Sequence, residues 1–325
     1  MRPLPIGVIG VGALGRHHAR HLAASPLAAL VGVHDTDASR GREVANRVGT
    51  EFYPDLDALL GDVEAVTVAV PTGAHAAIGL QALQGGRAVL MEKPLAGSLE
   101  DADMLVAEAA RRGVPLQVGH VERFNGAIRA ARSYLDDPRY VESDRLSPFQ
   151  LRGTDVAVVL DLMIHDLDLI LHLTGGAEAT EVRASGVAVL SPHLDMANAR
   201  VEFTNGAVAN VTASRMARER VRHLRIFQRN GYFSLDLAAG SGEFMRLKEG
   251  WRDAGANGLY DIVERIVLEA PRADALALEL ESFVRSVQGG GGAVVTGAEG
   301  RAALALALRV TEAVRLGAAS LRADP

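Results

Sequence analysis

Pro5–Leu22 reads PIGVIGVGALGRHHARHL, and the fold turns on the six residues that begin at Gly10. Gly10, Gly12 and Gly15 stand in G-x-G-x-x-G spacing, with Ala13 and Leu14 inside the turn. Glycine-rich turns are common, so the spacing alone is weak. Here it follows an apolar run, opens a helical stretch, and has Asp35 at the end of a second apolar run, AALVGVHD. That context is the dinucleotide-binding fingerprint. Gly10 permits a tight turn, Gly12 lets the backbone approach a pyrophosphate, and Gly15 lets helix pack on strand. The helix N-terminus offers unpaired N–H groups and a partial positive charge to that pyrophosphate. Asp35 is placed to accept hydrogen bonds from ribose hydroxyls and to repel a 2′-phosphate. This favours NAD, while Arg40 and Arg42 keep NADP as an alternative. FAD shares the fingerprint.

Outward from this stretch, strand and helix alternate. After AALVGVHD come a helix near SRGREVANRVG, the strand AVTVAVP, a helix over His75–Leu83 and the strand AVLMEKP. Ser98 with Asp101 makes a capping box for a helix through Arg112, and PLQVGH reads as another strand. Such alternation with short joints predicts a parallel sheet covered on both faces, a doubly wound Rossmann domain over residues 1–121.

Beyond Val121 the texture changes. One long helix is followed by period-two segments: ATEVRASGVAVL, ANARVEF, AVANVTASRM, RHLRIFQ and YFSLDL. Asn205-Gly206 and Asn230-Gly231 are hairpin signals between them. Residues 122–325 therefore read as an α+β domain with a large, mostly antiparallel open sheet. Two helical stretches, DALALELESFVRSVQ and AEGRAALALALRVTEAVRLG, close the chain around a four-glycine run and are free to pack back on the first domain. The overall class is α/β.

With 325 residues, two domains are the expectation, and a net charge of -6 argues against broad binding to nucleic acid or anionic membranes. No apolar run reaches the ~20 residues needed to cross a bilayer. The chain runs almost straight into its first strand with no signal peptide ahead of it, so the cytoplasm is expected. With no cysteine, disulfides, thiolate metal sites and cysteine nucleophiles are excluded.

Chemistry-bearing residues gather in two places. Lys93 follows a strand directly and is fixed by Pro94, which aims its ammonium. Leu160–Leu173 reads LDLMIHDLDLILHL, apolar except for five residues. Four of them, Asp161, His165, Asp168 and His172, fall within about 60° of helical arc, and Asp166 lies off that stripe. In HHARH, His17 and His21 have metal-ligand spacing, but no carboxylate follows on their face, and a polar helix face is the plainer reading.

Taken together, GVIGVGALGRHHARHL, VAVPTGAHAAIGLQAL, AVLMEKPLAGSLEDADML, VGHVERFN and DLMIHDLDL resemble the Gfo/Idh/MocA family of oxidoreductases, the glucose–fructose oxidoreductase and inositol 2-dehydrogenase group. The resemblance spans nearly the whole chain. It implies that Lys93, Asp161 and His165 face the nicotinamide and the substrate carbon. Pro71, Thr72 and His75 would border the cofactor, with Glu92 beside Lys93. It also implies homodimers or homotetramers. The second-domain sheet shows Ala, Val and Thr on both faces, which suggests that subunits meet through it. Where many relatives read Asn-x-x-Arg-Phe this chain has HVERF, so His120 stands where another polar residue is usual.

On that footing the stripe acquires a use. Loss of hydride from a secondary hydroxyl carbon requires a base for the hydroxyl proton, and His165 supplies one. Asp161 orients it, Lys93 steadies the oxygen, and Asp168 and His172 read as structural polar groups. VGHVERFNGAIRA and RLSPFQLRGTDVAVVLDLMIHD look closest to the branch that oxidises nucleotide sugars, such as UDP-N-acetylglucosamine at its 3-hydroxyl. Substrate contacts are then expected from His120, Arg123, Asn125 and Arg152, with Arg123, Arg145 and Arg152 suited to a diphosphate. A free cyclitol or aldose is the alternative substrate. A non-catalytic NAD-sensing regulator is the alternative of another class, and a sensor has no need of a proton acceptor. A Zn²⁺ or Mn²⁺ site on the stripe is a further alternative, but a dehydrogenase with Lys93 needs no metal, so none is expected.

Overall fold

Strand β1 (Leu4–Ile9) is buried at five of its six positions, as a strand covered on both faces must be. The protein, a computed structural model covering residues 2–149, 156–251 and 259–323, forms two compact units. The first comprises Met1–Val121 and Ala273–Leu304, the second Glu122–Arg272 and Ala305–Pro325.

In the first unit β1 is followed by α1 (Gly15–Ala24), β2 (Ala28–His34), α2 (Ala38–Val48), β3 (Glu51–Phe52), α3 (Leu56–Asp62), β4 (Ala65–Val68), α4 (His75–Gln84), β5 (Ala88–Glu92), α5 (Leu99–Arg112) and β6 (Leu116–Gly119). All six strands run parallel in the order β3-β2-β1-β4-β5-β6. The order reverses between β1 and β4, and such a switch point opens a crevice at the carboxyl ends of the strands. Ser98 caps α5, its Oγ accepting from the Asp101 amide at 3.1 Å, which is the first half of the expected capping box. The short β3 and α3 are elements the sequence pattern does not mark. Ile6, Val8 and Val33 pack with Ala19 and Leu22 of α1 and with Leu280, Phe283 and Val284 of the late helix Ala275–Val287.

The second unit holds α6 (Gly126–Ala131), β7 (Tyr140–Leu146), α7 (Ile164–Leu173), β8 (Ala179–Val187), β9 (Met196–Phe203), β10 (Val208–Ser214), β11 (Val221–Gln228), β12 (Gly231–Asp236), β13 (Ser241–Leu247) and β14 (Val263–Glu269). The eight strands lie in the order β14-β13-β12-β11-β7-β10-β9-β8, antiparallel except for the β7–β10 pair. Both expected hairpins form. Gln228 pairs with Gly231, so the second turn is centred on Arg229–Asn230, one residue before the Asn-Gly step. One sheet face is buried through Val141, Val211, Ala213, Leu224, Ile226 and Phe233. The other carries Asn198, Arg200, His223 and Arg225 in exposed positions. That face is more polar than the Ala, Val and Thr content suggests, because strand alternation sorts the polar residues to one side.

The connection from β8 to β9 is built on Asp195, which is fully buried. Its Oδ2 accepts from the amides of Val189 (2.7 Å), Leu190 (2.6 Å) and Ser191 (3.0 Å), and its Oδ1 from the Ser191 hydroxyl (2.8 Å). Burial pushes this carboxyl up, but those four donors outweigh it and hold it at about 2. Arg215 lies 3.6 Å from Asp195 and donates to the Val156 carbonyl at 2.5 Å, two residues before the helical segment that carries Asp161. A carboxyl depressed on folding stabilises the fold above its unfolded value near ~3.9, and that stabilisation fades as pH falls through the folded value. Asp195→Asn is therefore expected to destabilise by about 1–3 kcal/mol at neutral pH. The difference in thermal midpoint between variant and wild type should shrink steadily once pH drops below ~4.

Candidate active site

At the carboxyl end of β1, Gly10 has φ +81°, and a Cβ there would stand 2.8 Å from the Ala69 carbonyl oxygen. A Cβ on Gly15 would come within 1.8 Å of the Gly10 carbonyl oxygen, so α1 sits on the turn only because Gly15 lacks one. Gly12 differs from both: a Cβ there would meet nothing within 4 Å. Its open side suits the close approach of a pyrophosphate. Leu14 caps α1 without a side-chain hydrogen bond, which leaves the helix N–H groups and their partial charge facing the turn. Ala13 is half-buried and Leu14 exposed beside it. These features fit a bound dinucleotide.

Asp35 follows β2 and is buried against this turn. Its Oδ2 accepts from the Val11 amide (2.8 Å) and Oδ1 from the Asp37 amide (2.9 Å). Arg40 grips both oxygens, Nε to Oδ2 at 3.0 Å and Nη2 to Oδ1 at 2.7 Å. Burial raises Asp35, yet Arg40 and the two amides outweigh it and keep the carboxyl below its ordinary range. Arg42 points elsewhere, stacked over Phe52 at 5.3 Å.

Pro71 is exposed at the start of the turn Thr72–Ala74, and Thr72 is half-buried. His75 is buried, its Nδ1 2.9 Å from the Pro94 carbonyl oxygen and its Nε2 3.0 Å from that of Val70. Burial lowers its pKa against the pull of both carbonyls, so the neutral ring, with one N–H, donates to one of them. His75 thus lies between the loop after β4 and the loop after β5, bonded to one of them and packed against the other. Lys93, half-buried, sits in that second loop ahead of a cis peptide to Pro94. His120 is buried at the end of β6. His21 lies 3.4 Å from Asp274, while His18, between the two histidines that the sequence singles out, is buried on Glu92 at 3.0 Å. Periodicity carries the signal for His18, which shares a helix face with Gly15, Ala19 and Leu22.

In the second unit, α7 is preceded by a π-helical turn, Val159–Met163, in which the Ile164 amide donates to the Val159 carbonyl five residues back. Such turns often mark functional positions. Asp161 lies in it, His165 one step into α7, and both are half-buried. Asp168 is taken up by Arg123 through two hydrogen bonds (2.7 and 2.8 Å), both side chains buried. Asp166 is held by Arg145 at 2.6 and 3.0 Å, and Arg145 reaches Glu122 at 2.9 Å. His172 is exposed at the far end.

Two expectations change accordingly. Arg123 and Arg145, expected at a diphosphate, are committed to buried carboxylates, because a desolvated guanidinium requires an anion close by. Asn125, expected at the substrate, caps α6 by accepting from the Ala127 amide (3.0 Å) and donates to Glu122 (2.9 Å) and the Leu237 carbonyl (2.8 Å). Arg152 lies outside the described residues.

The fold and the glycine turn define a dinucleotide-binding protein of the Rossmann class. A family model described as an oxidoreductase family with an NAD-binding Rossmann fold matches residues 4–120, and a GFO/IDH/MocA C-terminal domain matches residues 122–234. The chain belongs to the Gfo/Idh/MocA family. It is 41% identical over 309 residues to UDP-N-acetylglucosamine 3-dehydrogenase from Acidithiobacillus ferrooxidans, covering 95% of this chain and 96% of that protein. A solved structure of that dehydrogenase superposes with a TM-score of 0.89 at 40% identity, covering 97% and 98% of the two chains. Myo-inositol 2-dehydrogenase from Thermotoga maritima is 27% identical, with 93% of each chain covered. Among the described residues no helix is long and apolar enough to cross a membrane.

The glycine turn yields a paired prediction. Gly12→Val is expected to melt like wild type, since its side chain meets nothing, but to lose dinucleotide binding in a fluorescence titration. Gly15→Ala should lower the melting temperature as well, because its Cβ must push α1 off Gly10. Equal thermal behaviour of the two variants would contradict this division of roles.

Proposed function

We propose that the protein is an NAD-dependent dehydrogenase of a nucleotide sugar, oxidising the 3-hydroxyl of UDP-N-acetylglucosamine. The observation that carries this reading is the 41% identity to a dehydrogenase of that name along 95% of the chain. Bound NAD supplies the hydride acceptor. The residues supply the rest: His165 takes the hydroxyl proton, Asp161 orients His165, and Lys93 stabilises negative charge on the substrate oxygen. The half-buried positions of Asp161 and His165 support these roles, since each is both held and reachable. With Arg123 and Arg145 engaged internally, the candidates for a diphosphate among the described residues near β10 and β11 are the exposed Arg218 and Arg220, while half-buried Arg222 already donates to Glu122 at 3.2 Å. Burial, together with the charge of Arg145, lowers the pKa of Arg222 although Glu122 beside it pulls the other way.

NADH formation with UDP-N-acetylglucosamine, set against myo-inositol under the same conditions, tests the substrate. Turnover of the cyclitol alone would overturn the nucleotide-sugar reading in favour of the second one, which the inositol dehydrogenase relative supports.

His165→Asn and Lys93→Met should each lower kcat by roughly 10²–10⁴, with NAD binding near wild type, while Asp161→Asn should cost less. A His165→Asn enzyme with full turnover would move the proton acceptor elsewhere. For the cofactor, NAD(H) should bind tighter than NADP(H). Asp35→Ser should narrow that gap, and Arg40→Ala should weaken NADP(H) more than NAD(H), because the guanidinium is the local partner for a 2′-phosphate. Competitive titration of the two cofactors measures both effects.

A further inference from the structure

Glu92 closes β5 immediately before Lys93 and is 8% exposed. Its Oε1 lies 3.0 Å from His18 Nε2, and its Oε2 accepts from the Lys93 amide at 3.2 Å. On the third side stands Gly119 at the end of β6, where a Cβ would be 3.2 Å from the carboxyl carbon and Oε2. Burial pushes Glu92 up, but the hydrogen bond and charge of His18, with the charge and amide of Lys93, keep it below the ordinary carboxylate range. An ionised carboxylate only accepts, so His18 Nε2 carries the proton between them. His18 is fully buried, and among the described residues its Nδ1 has no hydrogen-bond partner. Glu92 is therefore the one polar group that gives this ring its orientation. A leucine would fill the same apolar face of α1 at less cost than a buried imidazole.

We propose that His18 is a positioning residue for Lys93, acting through Glu92: it holds the buried carboxylate whose other oxygen fixes the lysine's backbone. This rests on the role given to Lys93 above. Without His18, Glu92 is a buried anion short of one donor, and it must turn toward Lys93 or take up a proton. Either response displaces the lysine from the reacting oxygen, and misplacement of this order can cost 10²-fold in rate. Because His18 stands one turn into the helix whose N-terminus faces the glycine turn, dinucleotide docking and lysine placement share one rigid element.

The test compares His18→Leu, His18→Gln, Glu92→Gln and the double variant His18→Leu/Lys93→Met in steady-state turnover of UDP-N-acetylglucosamine with NAD. Melting curves and NAD titration establish that each variant is folded. His18→Leu and Glu92→Gln should lose roughly 10- to 100-fold in kcat, with KM for the sugar and affinity for NAD near wild type. His18→Gln, whose amide nitrogen reaches about as far as Nε2, should recover most of the loss. The double variant should be no slower than Lys93→Met alone, since residues acting as a unit are non-additive. Wild-type kcat in His18→Leu, or losses that multiply in the double variant, would overturn the proposal. Should His18→Leu not fold, Glu92→Gln carries the same comparison with Lys93→Met. A Lys93→Met enzyme at full rate would instead overturn the reading of Lys93 on which the proposal stands.

Discussion

Arg145 lies inside the second unit with Asp166 on one side and Glu122 on the other, and two residues along the helix Arg123 grips Asp168. Charges this deeply buried are costly to desolvate, and a pair broken by loss of one member is far worse than a pair never made. Each partner therefore fixes the place of the other. Residues two apart on a helix point about 160° away from each other. Held at Asp166 and Asp168, α7 is gripped from two directions and cannot roll. His165, next to the first anchor, is thereby presented at one angle. Asp161 is offset from it by a π-turn rather than by a regular helical step.

The first unit meets the same problem with different means. Its sheet is apolar, so the polar residues at its carboxyl ends must be steadied from outside the sheet. Gly15 lets α1 descend onto the turn, and that descent brings His18 to Glu92. His75 spans from the loop after β4 to the loop after β5. Lys93 follows Glu92, which accepts from its amide, and precedes Pro94, whose carbonyl oxygen lies 2.9 Å from His75 Nδ1. Asp35 is steadied in turn by the Val11 amide and by Arg40, so this buried acidic group already carries a cation. Lys93, Asp161 and His165 are half-buried, while His18, His75, Asp166 and Asp168 around them are buried. This division combines access with a fixed geometry.

The local parts of the fold were legible because their signals are local. The Gly10–Gly15 turn, the Ser98 cap, the two hairpins and the helix carrying Asp161 and His165 each follow from a few neighbouring residues whose backbone demands are met nearby. Strands β7, β13 and β14 were not legible. β7 has alternating burial, but its charged residues Glu142, Asp144 and Arg145 disguise it, and its place between β10 and β11 depends on segments 68 to 87 positions away. Arg123, Arg145 and Asn125 read as candidates for a ligand because a sequence shows a polar side chain without its partner.

The sequence by itself determined the residue types of the chemistry and the turn that receives a dinucleotide, since backbone sterics and helix periodicity act over a few residues. Only the tertiary structure decided which charged groups remain for a substrate. Desolvation is a property of the packed interior, and it matched Arg123 with Asp168, Arg145 with Asp166 and His18 with Glu92 across separations that no local pattern records.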